Sequence, residues 1–275
     1  MPARHPERIV CLTEESTETL YLLGEERRIV GISGYTVRPP RARREKPRVS
    51  AFLSARIDRI VRLNPDLVIG FSDLQADIAR DLAKAGLNVL IFNQRSVQQI
   101  LDMILALASL VGAAEKGARL VGELEHGLSD IREKARAFPR RPRVYFEEWD
   151  EPMISAIRWV SELIETAGGE DVFSELSHSQ SATGRIVSDA NLLIARDPEL
   201  ILGSWCGKKF RPERVAARPG WERIAAVREG RLYEIKSADI LQPGPAALTD
   251  GVRRMHALLA GYLRDSVSPA ARRRS

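Results

Sequence analysis

With only two cysteines in 275 residues, Cys11 and Cys206, the chain cannot rest on a disulfide framework. Cys11 lies inside an apolar run, the ordinary setting of a small buried thiol. No apolar stretch approaches the length of a membrane-spanning helix, so no membrane insertion is expected. Met1-Pro2-Ala3-Arg4-His5-Pro6 runs straight into the first apolar segment, with none of the hydrophobic core of a signal peptide. As written, the chain is expected in the cytoplasm; a start lying further upstream would make it periplasmic. Catalytic signatures are equally scarce. Gly203-Ser204-Trp205-Cys206-Gly207 has tryptophan where a nucleophile elbow needs serine. Gly31-Ile32-Ser33-Gly34 lacks the spacing of a phosphate or dinucleotide loop. The four histidines are scattered, without metal-ligand spacing.

What is present is the composition of a globular protein, 44% hydrophobic and 29% charged, long enough for two ordinary domains. Much of the net charge of +5 sits in two short runs, Arg38 to Arg48 and Arg272-Arg273-Arg274. Neither run follows a helix face or interleaves with aromatics, so both read as solvated loop and tail, and no nucleic-acid partner is expected.

The chain says nearly the same thing twice. Asn64-Pro65-Asp66-Leu67-Val68-Ile69-Gly70 recurs as Asp197-Pro198-Glu199-Leu200-Ile201-Leu202-Gly203, 133 residues later (197 − 64). Each copy is a turn, an acid and a short aliphatic run ending at glycine, the pattern of a strand buried on both faces of a parallel sheet. Phe71 and Trp205 follow the two copies, at strand ends where open α/β sheets bind ligands. Around each copy, strands and helices alternate through short links. Expected strands are Arg8 to Leu12, Arg28 to Ile32, Asp66 to Gly70, Asn88 to Phe92, Arg143 to Glu147, Glu199 to Gly203 and Arg231 to Ile235. Between the two alternating regions, Ser96 to Phe138 carries an apolar stripe at helical spacing, interrupted at Gly112.

Glu147-Glu148-Trp149-Asp150-Glu151-Pro152 is the most unusual local cluster. Glu147 and Glu148 could form an acid/base pair or accept hydrogen bonds from a polar ligand; the alternative is a solvated acidic turn. Position on the carboxyl edge of the sheet favours a binding role for Trp149. Arg158 and Arg185 are candidate anion contacts in the same region. His178 and Cys206 are candidate metal ligands if they meet those glutamates in space.

Several of these segments resemble the substrate-binding proteins of ABC importers for cobalamin and iron-siderophore complexes, over about Arg8 to Leu263. The resemblance rests on Arg8-Ile9-Val10-Cys11-Leu12 with Thr17-Glu18-Thr19-Leu20, and on Val30 to Tyr35 ending in Pro39-Pro40. It extends to Ile57-Asp58-Arg59-Ile60 before the first repeat copy, and to Trp159 through Gly168-Gly169 with Asp171-Val172-Phe173. It implies two Rossmann-like α/β lobes, at 1–93 and 140–265, bridged by a long α-helix within 94–139, with a flexible tail at 266–275. This is the helical-backbone form of the periplasmic-binding-protein fold, with the ligand between the lobes. The resemblance further implies a non-catalytic monomer that binds a corrinoid, or a ferric siderophore, without any catalytic cofactor. By position, Tyr35, Phe52 and Phe71 look like aromatic contacts of the first lobe, and Trp149 and Trp205 like those of the second. Glu148, Arg185, Arg38 and Arg158 are the polar contacts expected with them. The competing reading is a metal-dependent enzyme using Glu147 and Glu148. Relatives dock on a permease through one acid per lobe; Asp58 matches the first and Asn191 stands at the second, with Asp189 nearby. That replacement, and the missing export signal, count against an importer role.

Overall fold

The computed structural model describes residues 5–267. The chain forms two compact units: one runs to Glu125 and takes in Gln242–Pro245, the other holds His126–Leu241 and resumes at Ala246. Of the tail expected at 266–275, Ser266 and Val267 instead close the last helix, Val252–Val267, and the rest, including Arg272-Arg273-Arg274, lies outside the described residues.

In the first unit five strands form one parallel sheet: β1 (Ile9–Cys11), β2 (Ile29–Ser33), β3 (Arg48–Ser50), β4 (Leu67–Phe71) and β5 (Val89–Phe92). Their order is β3-β2-β1-β4-β5, so the chain reverses its direction of travel across the sheet beside β1. Val10, Leu12, Val68, Ile60, Ile78 and Leu82 pack into one core cluster. The second unit's sheet runs β10-β9-β6-β7 with β8 also paired to β6. Its strands are β6 (Arg143–Asp150), β7 (Met153–Ser155), β8 (Glu170–Asp171), β9 (Leu200–Gly203) and β10 (Leu232–Glu234). Only β7 is antiparallel. The two repeat strands therefore belong to separate mostly parallel sheets, Ile69 in one and Ile201 in the other.

The repeat has a physical meaning at every position. Asn64 and Asp197 both adopt left-handed backbone, with φ of 47° and 42°, where short polar side chains are tolerated. Arg8 donates through Nε to the Asn64 carbonyl at 2.9 Å, and Arg143 donates likewise to the Asp197 carbonyl at 3.1 Å. The acid two residues later latches the neighbouring strand's start. Asp66 accepts from the amides of Glu7 and Arg8 at 2.7 and 3.0 Å, and Glu199 accepts from the Arg143 amide at 2.9 Å. The aliphatic run that follows is buried throughout in both copies. Each copy ends in glycine because something must lie against the strand. A Cβ on Gly70 would come within 2.6 Å of the Gln75 amide oxygen, and one on Gly203 within 1.9 Å of the Phe210 ring.

The helical stripe resolves into two helices, Val97–Leu110 and Ala114–Arg136, broken at Gly112 with φ of +74°. The second has 23 residues, about 35 Å at 1.5 Å per residue, and the boundary between the units falls within it. Three expectations need correction. β6 continues through Asp150 and turns into β7, so the acidic cluster is a hairpin strand rather than a loop. The sequence between Ser155 and Ala167 reads as one helix closed by Gly168-Gly169, but the helix begins at Arg158, because Ser155 pairs with Glu147 in β7. Arg48–Ser50 is a strand read as part of the arginine-rich loop; its single buried residue, Val49, leaves no alternation to find.

Candidate ligand-binding site

The carboxyl edge of the first sheet collects the residues singled out by sequence. Tyr35 follows β2 and is 54% exposed, its amide held by the Ser33 hydroxyl at 3.2 Å. Phe52 sits in a tight turn after β3, closed by the Ala51 amide donating to the Ser54 carbonyl at 2.8 Å. Phe71 ends β4 and is buried, with the Arg95 guanidinium 5.0 Å above its ring. A fully buried Gln75 ties two of these together. Its oxygen accepts from the Phe71 amide at 3.0 Å, and its nitrogen donates to the Phe52 carbonyl at 2.9 Å. That clamp passes over Gly70, which explains the close approach there. Two polar contacts thus fix the Phe52 turn against β4, and Tyr35 is left as the projecting ring.

The same edge holds a buried acid pair that sequence reading missed. Glu14 and Glu15 directly follow β1, where the strand order reverses, and are 6% and 2% exposed. Burial, and then the charge of Glu15, push the Glu14 carboxyl up to about 8; burial pushes Glu15 to about 7. Thr13 donates to Glu15 at 2.5 Å, while Oε2 of each glutamate finds no hydrogen-bond partner. Glu18, one turn on, pairs with Arg38 at 2.9 Å. Arg38 is thereby engaged within its own unit.

In the second unit the edge is built around β6. Glu147 is fully buried and accepts both guanidinium nitrogens of Arg218, at 2.5 and 3.0 Å. Trp205 Nε1 and the Tyr145 hydroxyl donate to the same carboxylate at 3.0 and 3.2 Å. Burial pushes this carboxyl up, and Arg218 pulls against it. Glu148, on the opposite face, is grasped by Arg185, which is itself 2% exposed and also donates to the Ser155 carbonyl at 2.7 Å. Trp149 is half-buried; its Nε1 donates to the Glu151 carbonyl at 2.9 Å, and Lys208 Nζ stands 4.0 Å from its ring centroid. Lys208 also lies 5.0 Å from the Trp205 ring and pairs with Asp150.

These placements correct several expectations. Trp205 is 2% exposed, its ring set edge-on to Phe210 at 5.1 Å, so it serves as a core support rather than an open stacking surface. Arg185 is a buried partner of Glu148 rather than a free anion contact. Arg158 is exposed and bonds Glu162 on its own helix at 2.9 Å. The catalytic alternative fails on geometry, since Glu147 and Glu148 each have an arginine closed over them. His178 and Cys206 are exposed, and no group of three or more His, Cys, Asp or Glu among the described residues could hold a metal. Asp58 and Asn191 stand 133 residues apart (191 − 58), exposed near the starts of the short helices Ile57–Arg62 and Ala190–Arg196. Asp58 pairs with Arg62, and the Asn191 amide caps onto Asp189 at 2.8 Å.

Arg95, Lys208 and Arg218 carry no local motif, because each acts on a strand end distant in sequence; Gln75 lies four residues after Phe71 but its second partner, Phe52, is 23 residues away. Glu14-Glu15 did carry a signal, two acids directly after an apolar strand.

A family model described as "Periplasmic binding protein" matches residues 9–238. The chain is 25% identical over 265 residues to an uncharacterized ABC transporter substrate-binding lipoprotein of Bacillus subtilis, covering 92% of this chain and 79% of that one. It is 26% identical over 255 residues to a vitamin B12-binding protein of Vibrio cholerae, covering 88% and 85% of the two chains. A periplasmic heme-binding protein from Roseiflexus sp. RS-1, solved in apo form, superposes with a TM-score of 0.75 at 24% identity, covering 92% of this chain and 99% of that one. No helix among the described residues is long and apolar enough to cross a membrane.

Proposed function

The chain belongs to the periplasmic binding protein family, and from that premise we propose that it binds a corrinoid or a related flat metal chelate as the ligand-binding component of an ABC importer. It is a binding protein, not an enzyme. The observation that carries the reading is the aromatic edge of the first unit: an exposed Tyr35 beside a Phe52 turn whose backbone is tied to that of Phe71 by one buried glutamine. Tyr35, and the half-buried Phe52 beside it, offer apolar contact on a fixed edge while the buried Phe71 supports them, which suits a macrocycle or aryl chelate and gives a bare ion nothing to bind. Trp149 is the ring proposed for the second unit, with the Lys208 ammonium standing over it. Glu148, fixed in place by Arg185, is the polar contact beside it. The vitamin B12-binding relative favours a corrinoid, and haem or a ferric siderophore is the related class.

The importer reading takes Asp58 as one permease contact, with Asn191 as an uncharged counterpart. It also favours an extracytoplasmic site of action over the cytoplasmic one, in keeping with a relative described as a lipoprotein. Calorimetric titration with cyanocobalamin, cobinamide, haemin and a ferric catecholate tests the ligand class. One of these is expected to bind at one-to-one stoichiometry, with affinity reduced in Tyr35→Ala. Failure of all four would overturn the proposal. N-terminal sequencing of the protein recovered from fractionated host cells tests the compartment.

A further inference from the structure

About half of the described arginines of the first unit are engaged by a hydrogen bond or ion pair. Arg38 pairs with Glu18, Arg41 with Glu26 and Arg62 with Asp58. Arg48, Arg56 and Arg59, like Arg27, Arg43, Arg44 and Arg119, are exposed, with no hydrogen bond or ion pair to their guanidinium groups among the described residues; these three are set apart by sharing one groove. They line one groove of about 560 Å³, together with Gly34 and Ser50, and no acidic residue lines it. The Ser50 hydroxyl oxygen is buried there without a partner.

Much of the groove's backbone is engaged. The Gly34 amide donates to the Ser50 carbonyl at 2.7 Å, Ala51 to Ser54 at 2.8 Å and Arg56 to Val49 at 3.0 Å. These bonds make a fixed floor and leave recognition to side chains. Three guanidinium forks, which only donate, and one hydroxyl free to donate make a set that matches clustered anionic oxygens. A phosphate monoester fits this best. It carries close to two negative charges at neutral pH and three acceptor oxygens, and guanidinium meets such oxygens in pairs. Bare phosphate would leave most of the volume empty, whereas grooves of this size hold ligands with an organic body. We therefore propose that the groove bounded by Arg48, Arg56 and Arg59 is a second binding site, for an organic phosphate monoester of about nucleotide size. It stands on the lining residues alone and does not depend on the identity of the chelate, although Gly34, Ala51 and Ser54 put it directly beside Tyr35 and the Phe52 turn.

Titration of the full chain with AMP, adenosine and inorganic phosphate at 0.15 M salt tests the site. AMP is expected to bind in the micromolar to submillimolar range, inorganic phosphate more weakly, and adenosine not at all. Arg56→Gln/Arg59→Gln is expected to weaken AMP at least tenfold and Ser50→Ala severalfold. Arg62→Gln, on the same helix but already paired, should leave it unchanged. Circular dichroism checks that each variant is folded, and Arg48→Gln serves as an independent exposed replacement expected to weaken AMP likewise. Three results would overturn the proposal: no AMP binding at millimolar concentration, equal binding by the double variant, or an equal loss in Arg62→Gln, which would mark the attraction as diffuse surface charge.

Discussion

Replacing Arg218 by methionine isolates the interaction that organises the second unit's carboxyl edge. The side chain keeps its aliphatic stem, but Glu147 loses both guanidinium bonds and keeps only the Trp205 and Tyr145 donors. Breaking one side of a buried pair costs about 3–5 kcal/mol, because the remaining charge is left uncompensated. Arg218's side chain is 19% exposed and Glu147's is not exposed at all, so the pair is buried on the acid's side and open on the base's. The expected loss is therefore about 3 kcal/mol, at the lower end. Glu147→Gln removes the charge, keeps an acceptor for Trp205 and leaves a partly solvated arginine, so it should cost less, about 1–2 kcal/mol. The double variant should cost less than the sum, the coupling being about 1–2 kcal/mol. pH supplies a second readout. Without Arg218 the buried carboxyl rises further, so the folded chain retains a proton that the unfolded chain has released. Stability of Arg218→Met relative to wild type should then be best near pH 5 and worsen toward pH 8. All four tryptophans, Trp149, Trp159, Trp205 and Trp221, lie in the second unit, so urea unfolding followed by tryptophan fluorescence reports on that unit alone. A loss below 1 kcal/mol, or a deficit identical at both pH values, would refute the reasoning.

Three further outcomes are expected. Glu14 and Glu15 titrate near 8 and 7 when folded against about 4.5 otherwise, so the folded chain holds extra protons between those values. Their contribution to stability is complete below about pH 4.5 and is lost as pH rises through 7 and 8, at up to about 1.4 kcal/mol per pH unit for each group. Glu14→Gln/Glu15→Gln should flatten that decline in urea titrations followed by circular dichroism, and a slope parallel to wild type would count against the buried pair. Burial pushes the Cys11 thiol up to about 12 while Cys206 is exposed, so a thiol reagent should label one cysteine in the native chain and two after denaturation. Tyr35→Ala should lower chelate affinity about tenfold and leave stability within about 0.5 kcal/mol, because its ring is more exposed than buried; equal affinity in the variant would remove Tyr35 from the site.

Legibility in the sequence followed the range of the forces involved. The α/β alternation, the repeat strands and the break at Gly112 were all readable, because apolar spacing and glycine act within a few residues. Tyr35 and Phe71 were also placed at strand ends, whereas Trp149, read as following its strand, lies within β6. What failed was anything decided by partners far along the chain. Trp205 reads as an exposed edge ring until Phe210 and Glu147 are brought against it. Arg185 reads as a surface cation until β7 carries Ser155 and β6 carries Glu148 to it. The strand at Arg48–Ser50 escaped because three residues among arginines and a proline give no period to detect.

The repeat also separates what each unit inherited from what each one built. The left-handed turn, the acid latch and the terminal glycine recur because all three solve one backbone problem, the delivery of a buried strand beside its neighbour with its end open. What fills the space over the glycine is free to differ. In the first unit it is Gln75, a neutral amide whose two ends bond the backbone beside two phenylalanines. In the second it is Phe210, which turns Trp205 onto a charged Glu147–Arg218 pair. A neutral clamp is indifferent to pH and salt, whereas a charged one responds to both. Ligand contacts made through the first unit should therefore be nearly constant with pH, apart from the Glu14–Glu15 pair. Those made through Trp149, whose neighbours Lys208, Asp150 and Arg214 are all charged, should weaken in high salt.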